Sequence, residues 1–263
     1  MKKKYIFNFD SFSKIRISEK RKFIKDFQVK KEIDIVHKQQ TINQKKINYS
    51  NVHAISLFSG AGGLDLGSVL AGTKVLSSLD FDKDSINTIR QNKIFKDSEN
   101  FCTDIRDFNL KKYNQIIKKN KTEKLILLGG PPCQPFSKAG YWITHKKILG
   151  KKDPRNMISE YLNVIKIIQP DGFIIENVES ILHPKNIIVV KEIEEFIYKN
   201  NFNLIRYTAN AINFGVPQKR KRVFFIATKK RIKFEPVQTH GENLKPYERV
   251  VDWIYQYENM KLN

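Results

Sequence analysis

Cysteine is almost absent: Cys102 and Cys133 are the only two in 263 residues. Two thiols provide neither a disulfide framework nor the four ligands of a structural zinc site, so a reduced, cytoplasmic setting and no metal centre are expected. Long apolar runs are missing as well. The start, Met1 to Asp10, is basic but has no apolar stretch of signal-peptide length, and no window approaches the ~20 residues of a membrane span, so the chain reads as soluble. Acidic residues are scarce beside basic ones, 27 against 48, and the formal charge of +21 favours polyanionic partners, nucleic acid first. A Lys-, Asn- and Ile-rich composition drift gives the same balance, so charge alone decides little. Residues 1–49 contain no glycine and no proline, and hold 14 Lys or Arg against 5 Asp or Glu. They read as a basic N-terminal extension, either a solvated arm or a docking helix with a thin stripe of Phe23, Phe27 and Ile33.

From residue 53 the texture changes to short apolar runs separated by glycine-containing turns and helical stretches, the alternation of a parallel sheet with crossover helices. The spacing predicts strands at 54–58, 74–80, 125–128, 172–175 and 223–227. It also predicts a helix over 64–71, and one through Ile158, Leu162, Ile165 and Ile168 that stops before Gln169-Pro170. The fold class is α/β, with residues 50–233 as one domain and 234–263 as an extended tail.

Phe58-Ser59-Gly60-Ala61-Gly62-Gly63 follows the first strand directly, and its glycines let the backbone turn tightly and approach a ligand. A dinucleotide fingerprint wants glycine where Asp65 stands, so a plain tight turn remains an equal reading. The next strand ends in Asp80, a carboxylate suited to ribose hydroxyls, followed by Phe81, a ring able to stack on adenine. Asp104, before Ile105, stands at the end of another expected strand, where it can accept from an adenine amino group. Each acid taken singly also suits a helix cap, but three at successive strand ends after a glycine loop favour an adenosyl ligand.

Pro131-Pro132-Cys133-Gln134-Pro135-Phe136-Ser137 is the most informative segment. Two prolines fix the backbone before a single cysteine in a loop leaving a strand, where an aimed nucleophile would sit. Cys102, in contrast, reads as a structural cysteine inside an apolar run.

This segment resembles the signature loop of the DNA cytosine-5 methyltransferase family, and other motifs occur in that family's order. Phe58 to Gly63 is similar to its cofactor loop, while Asp80-Phe81 and Asp104-Ile105 resemble its ribose- and adenine-contacting positions. Asp153-Pro154-Arg155 resembles the segment after the cysteine loop, Glu176-Asn177-Val178 the acid motif, and Gln218 to Arg222 the paired-arginine motif. The resemblance spans about residues 53–253. It implies a Rossmann-like class I methyltransferase fold, mostly parallel and twisted with helices on both faces, that binds S-adenosyl-L-methionine and double-stranded DNA. It places Phe58, Gly60, Gly62, Gly63, Asp80, Phe81, Asp104, Ile105 and Pro132 at the cofactor, and Cys133, Glu176, Arg220 and Arg222 at the base.

The chemistry asks for these residue types. Carbon 5 of cytosine is a poor nucleophile until a thiolate adds at carbon 6. Glu176, at a strand end, can bond the amino group and ring nitrogen 3 and so neutralise the developing charge. Arg220 and Arg222 share a face on an extended segment, so both can reach the extruded nucleotide and its phosphate, with Arg222 nearer the base. A strand-terminal helix cap and a solvated basic strand edge are the bland alternatives for the acid and the arginines.

Thr239 to Glu242 and Tyr247 to Ile254 resemble the approach to the family's target-recognition region, but neither that region nor the closing Gly-Asn-Ser-Val type segment occurs before Asn263. A partner polypeptide or a truncation is therefore expected ahead of a self-sufficient enzyme. Two rival functions stay open: an RNA cytosine-5 methyltransferase acting on transfer RNA, and a non-catalytic DNA-binding or partner-binding subunit.

Overall fold

Short runs rich in Leu, Ile, Val and Phe form the central strands of a single mixed sheet, and the amphipathic stretches between them form its covering helices. The computed structural model of the chain describes residues 50–132 and 157–250. Strands β1 (Val52–Leu57), β2 (Lys74–Asp80), β3 (Glu99–Cys102), β4 (Lys124–Gly129), β5 (Gly172–Val178), β6 (Asn203–Asn210) and β7 (Lys221–Thr228) build a seven-stranded sheet in the order β3-β2-β1-β4-β5-β7-β6. The pairs β1·β2, β1·β4, β2·β3 and β4·β5 are parallel, whereas β7 runs antiparallel to both β5 and β6.

Helices α1 (Gly63–Leu70), α2 (Lys83–Gln91), α3 (Lys111–Lys119), α4 (Met157–Ile168) and α5 (Ile187–Lys199) cover both faces. One core joins Tyr113 and Ile116 of α3, Tyr161 and Ile165 of α4, and Ile193 and Ile197 of α5 to Leu127, Phe173, Ile175, Val223 and Phe225 of the sheet. The other packs Val69 of α1 with Ile86 and Ile89 of α2 on Ala54, Val75 and Leu128. Helix α4 ends at Ile168, where Gln169 turns left-handed ahead of Pro170, as the proline predicts.

One strand escapes the sequence reading, β6, an Asn-bounded edge segment that pairs with β7 alone, and β3, expected before Asp104 without bounds, is four edge residues of mixed character, so neither carries the apolar run of a doubly covered strand. Cys102 is a correction: it closes β3 in an exposed position, with its thiol 3.6 Å from the Phe81 carbonyl, and lies in no apolar interior. The stretch after β7, expected to be an extended tail, contacts the β6 end of the sheet within the described residues. Phe234 stacks edge-on against Tyr207 at 5.4 Å, and the Thr239 and His240 amides both donate to Asn213 O. Residues 1–49, Cys133, Asp153 to Arg155 and Ile254 lie outside the described residues.

Candidate functional site

In a parallel sheet the loops leaving the carboxyl ends of the strands share one edge, and a crevice opens where the strand order reverses. Here that point is between β1 and β4, since the chain goes from β1 outward to β2 and β3 and returns to β4 on the other side. The loops after β1, β2, β3 and β4 bring Phe58 to Gly63, Phe81, Asp104-Ile105 and Pro131-Pro132 to this edge.

Phe58 corrects the sequence reading of the strand end. It takes a left-handed conformation, φ 54°, immediately after β1. The next two residues impose this turn, because Ser59 N donates to Leu79 O at 3.1 Å and Gly60 N to Asp80 Oδ2 at 2.8 Å. A non-glycine residue held there is strained, and packing of its ring against the core offsets the cost. Gly60 has φ +52°, and open space lies within 4 Å of where its Cβ would be, so a ligand can approach this backbone.

Asp80, nearly buried, also accepts from Asp82 N at 2.9 Å through its other oxygen. Its carboxylate therefore shapes the glycine loop as well as facing the crevice. Phe81 stands 72% exposed beside it, a ring with a free face. Asp104 is less open than the sequence implies: Arg106 grips it through Nε at 2.9 Å and Nη2 at 2.6 Å, and this holds its carboxyl below the usual carboxylate range. Ile105 is buried beneath it and packs with the core.

The second half of the site lies beyond β4. A Cβ at Gly129 would collide with the Tyr161 ring, which lies there because its hydroxyl donates to Ile174 O at 3.0 Å. A Cβ at Gly130 would stand 3.2 Å from Glu176 Oε2. Pro131 O accepts from the buried Asn177 side chain at 3.1 Å, and Pro132 is the last described residue before Cys133. Glu176 Oε1 meets Arg222 Nε at 2.7 Å, with both side chains about a quarter exposed. Arg220 lies just outside the strand that carries Arg222. It precedes β7, its backbone is bonded to Asn210 and Ala211, and its side chain is exposed and makes no ion pair among the described residues.

Three contributors lay beyond sequence reasoning: Asn177, Arg106 and the buried Asp65. The signal for Asp65 was its helical spacing to the buried Val69 on α1.

The model of a family described as C-5 cytosine-specific DNA methylase matches residues 52–261. The chain is 36% identical over 180 residues to the type II methyltransferase M.FnuDI of Fusobacterium nucleatum, covering 67% of this chain and 46% of that protein. To the type II methyltransferase M.AquIA of a Picosynechococcus strain it is 33% identical over 226 residues, covering 76% of this chain and 86% of that protein. Among solved structures, one assigned as a DNA modification methyltransferase encoded within an E. coli prophage superposes with a TM-score of 0.61 at 27% identity, covering 78% of this chain and 54% of the other.

Proposed function

Because this chain belongs to the family of C-5 cytosine-specific DNA methylases, we propose that it methylates carbon 5 of cytosine in double-stranded DNA through a covalent adduct with Cys133. The observation that carries this reading is the Glu176–Arg222 pair, set beside Gly130 at the mouth of the strand that leads into Pro131-Pro132-Cys133.

The residues present suit S-adenosyl-L-methionine. Gly60 leaves room for a close ligand, Asp80 offers carboxylate oxygens to ribose hydroxyls, and the exposed Phe81 ring suits adenine. Gly62 and Gly63 open α1, and Asp104, Ile105 and Pro132, in the loops after β3 and β4, are assigned to the cofactor by this reading. When bound, this cofactor supplies a methyl group on a positively charged sulfur.

The protein's own residues prepare the base. Carbons 5 and 6 are sandwiched within the duplex, so the cytosine must leave the stack, while basic side chains such as Arg220 hold phosphates. The Cys133 thiolate adds to carbon 6, and the electron pair of the 5,6 double bond shifts toward carbon 5. Arg222 holds Glu176 Oε1, and Oε2, beside Gly130, carries the proton that it donates to ring nitrogen 3 as negative charge develops there. After methylation the carbon 5 proton passes to solvent water, its bonding pair restores the double bond, and the thiolate is expelled with the carbon–sulfur pair.

The chain spans about half the length of M.FnuDI and 86% of M.AquIA, and a second polypeptide that supplies target recognition belongs to this reading. If so, co-expression with that polypeptide is expected to raise cofactor affinity and activity together. The type II methyltransferases it resembles point to a role in restriction-modification.

The decisive test is trapping. Duplex DNA carrying 5-fluorocytosine blocks the final proton loss, so the wild type with its partner and cofactor forms a stable adduct and Cys133→Ser forms none. An adduct in Cys133→Ser overturns the nucleophile. Adduct formation on transfer RNA but not on duplex DNA overturns the substrate.

A further inference from the structure

Asp65 takes no part in the methyl-transfer chemistry, yet it is a carboxylate with 0% exposure in the cofactor half of the site. It lies in the first turn of α1, whose N-cap, Gly62, brings no side-chain cap. Ser78 Oγ donates to its Oδ2 at 2.9 Å. The Ser56 hydroxyl, opposite Ser78 in the β1·β2 register, faces the same carboxyl without a hydrogen bond of good geometry, and Asp65 Oδ1 has no partner among the described residues.

Such a group is costly. Burial pushes the Asp65 carboxyl up to about 6, the two serine hydroxyls oppose that shift, and the charge of Asp80 adds to it. For an acid with a raised folded value, the native state favours the protonated form. The cost to stability therefore sets in as pH rises from the ordinary aspartate value toward 6 and is complete above it. A residue retained at such a cost calls for a positional reason.

The reason is visible along β2. Three consecutive residues of this strand fasten the glycine loop: Ser78 through its hydroxyl to Asp65, Leu79 through its carbonyl to Ser59 N, and Asp80 through its carboxylate to Gly60 N. Ser78 and Asp80, two apart on a strand, share a face, so one fastening holds the start of α1 and the other holds the loop that precedes it.

We propose that Asp65 is a positioning residue for the cofactor: its carboxylate, fixed by Ser78, locks the first turn of α1 against β2 and so keeps the Ser59–Gly63 loop in the shape an adenosyl ligand requires. The inference rests on the methyltransferase reading. It predicts that Asp65→Ala and Ser78→Ala each raise KM for S-adenosylmethionine about tenfold, the scale of one lost hydrogen bond, and leave kcat on duplex DNA within about twofold. Asp65→Asn, which keeps an oxygen to accept from Ser78 and discards the buried charge, restores the wild-type KM and melts at or above the wild-type temperature at pH 8.

The measurements are calorimetric titration with S-adenosylmethionine, steady-state kinetics and thermal melting on all four proteins, each with any partner present. A KM unchanged in both alanine variants overturns the proposal, as does an Asp65→Asn protein as weak as Asp65→Ala. Affinity that falls only in proportion to melting temperature makes Asp65 merely structural and also overturns it. A wild type that binds no S-adenosylmethionine overturns the methyltransferase reading and this inference with it, whereas a wild type that binds and methylates isolates the failure to Asp65.

Discussion

Arg222 Nε lies 2.7 Å from Glu176 Oε1, and strand register puts it there. In the antiparallel pairing of β5 and β7, Glu176 stands opposite Phe224 and Val178 opposite Arg222, so acid and arginine are diagonal neighbours on one face. A one-residue slip of β7 would turn Arg222 to the other face and bring Lys221 or Val223 to this one.

Loss of this pair separates binding from chemistry. Glu176→Gln keeps the shape but not the charge, and methylation is expected to fall about 10²–10³-fold with the fold intact. Arg222→Ala leaves Glu176 partly buried without its partner and costs about 1–3 kcal/mol of stability as well. Single-turnover methylation and thermal denaturation check both.

Asp80→Ala releases Gly60 N and Asp82 N at once and removes the proposed ribose acceptor. Affinity for S-adenosylmethionine is expected to drop by about 1–3 kcal/mol, read by calorimetry. Equal affinity in wild type and variant removes Asp80 from the cofactor site.

Asn177 joins β5 to the loop that leads into Cys133, the proposed nucleophile, through its bond to the Pro131 carbonyl. In Asn177→Ala the rate of adduct formation on 5-fluorocytosine DNA falls about tenfold or more, because a nucleophile loosened by about 1 Å loses its aim, while cofactor affinity is unchanged. A loss of cofactor affinity equal to the loss of rate would place Asn177 in a general structural role.

Gly215 caps the turn before the arginines with φ +84°, and a Cβ there would lie 2.7 Å from His240 Cε1. Gly215→Ala costs at least about 1 kcal/mol from the left-handed backbone alone. The contact with His240 adds to this, and a double-mutant cycle with His240→Ala recovers that added part. Melting temperatures of the four proteins measure it.

The Pro131-Pro132-Cys133 segment, the glycine loop and the acids at strand ends were legible because each is local: proline stiffness, glycine freedom and strand termination act within a few residues. Helix α4 and the central strands were legible for the same reason, as periodicity records which face is buried. The edge strand β6 and the bounds of β3 were not, since a strand covered on few sides carries little apolar pattern.

The sequence by itself therefore determined the α/β class, the order of the motifs and the residue types available for chemistry. Only the tertiary structure decided which of them meet. It joined Arg222 rather than Arg220 to Glu176, gave Asp80 a second task at Gly60, and buried Asp65 against Ser78. These are contacts between residues distant in the chain, or choices between neighbouring ones, set by strand register and helix packing. No local propensity encodes such distances, because they arise when separate elements bury their apolar faces together.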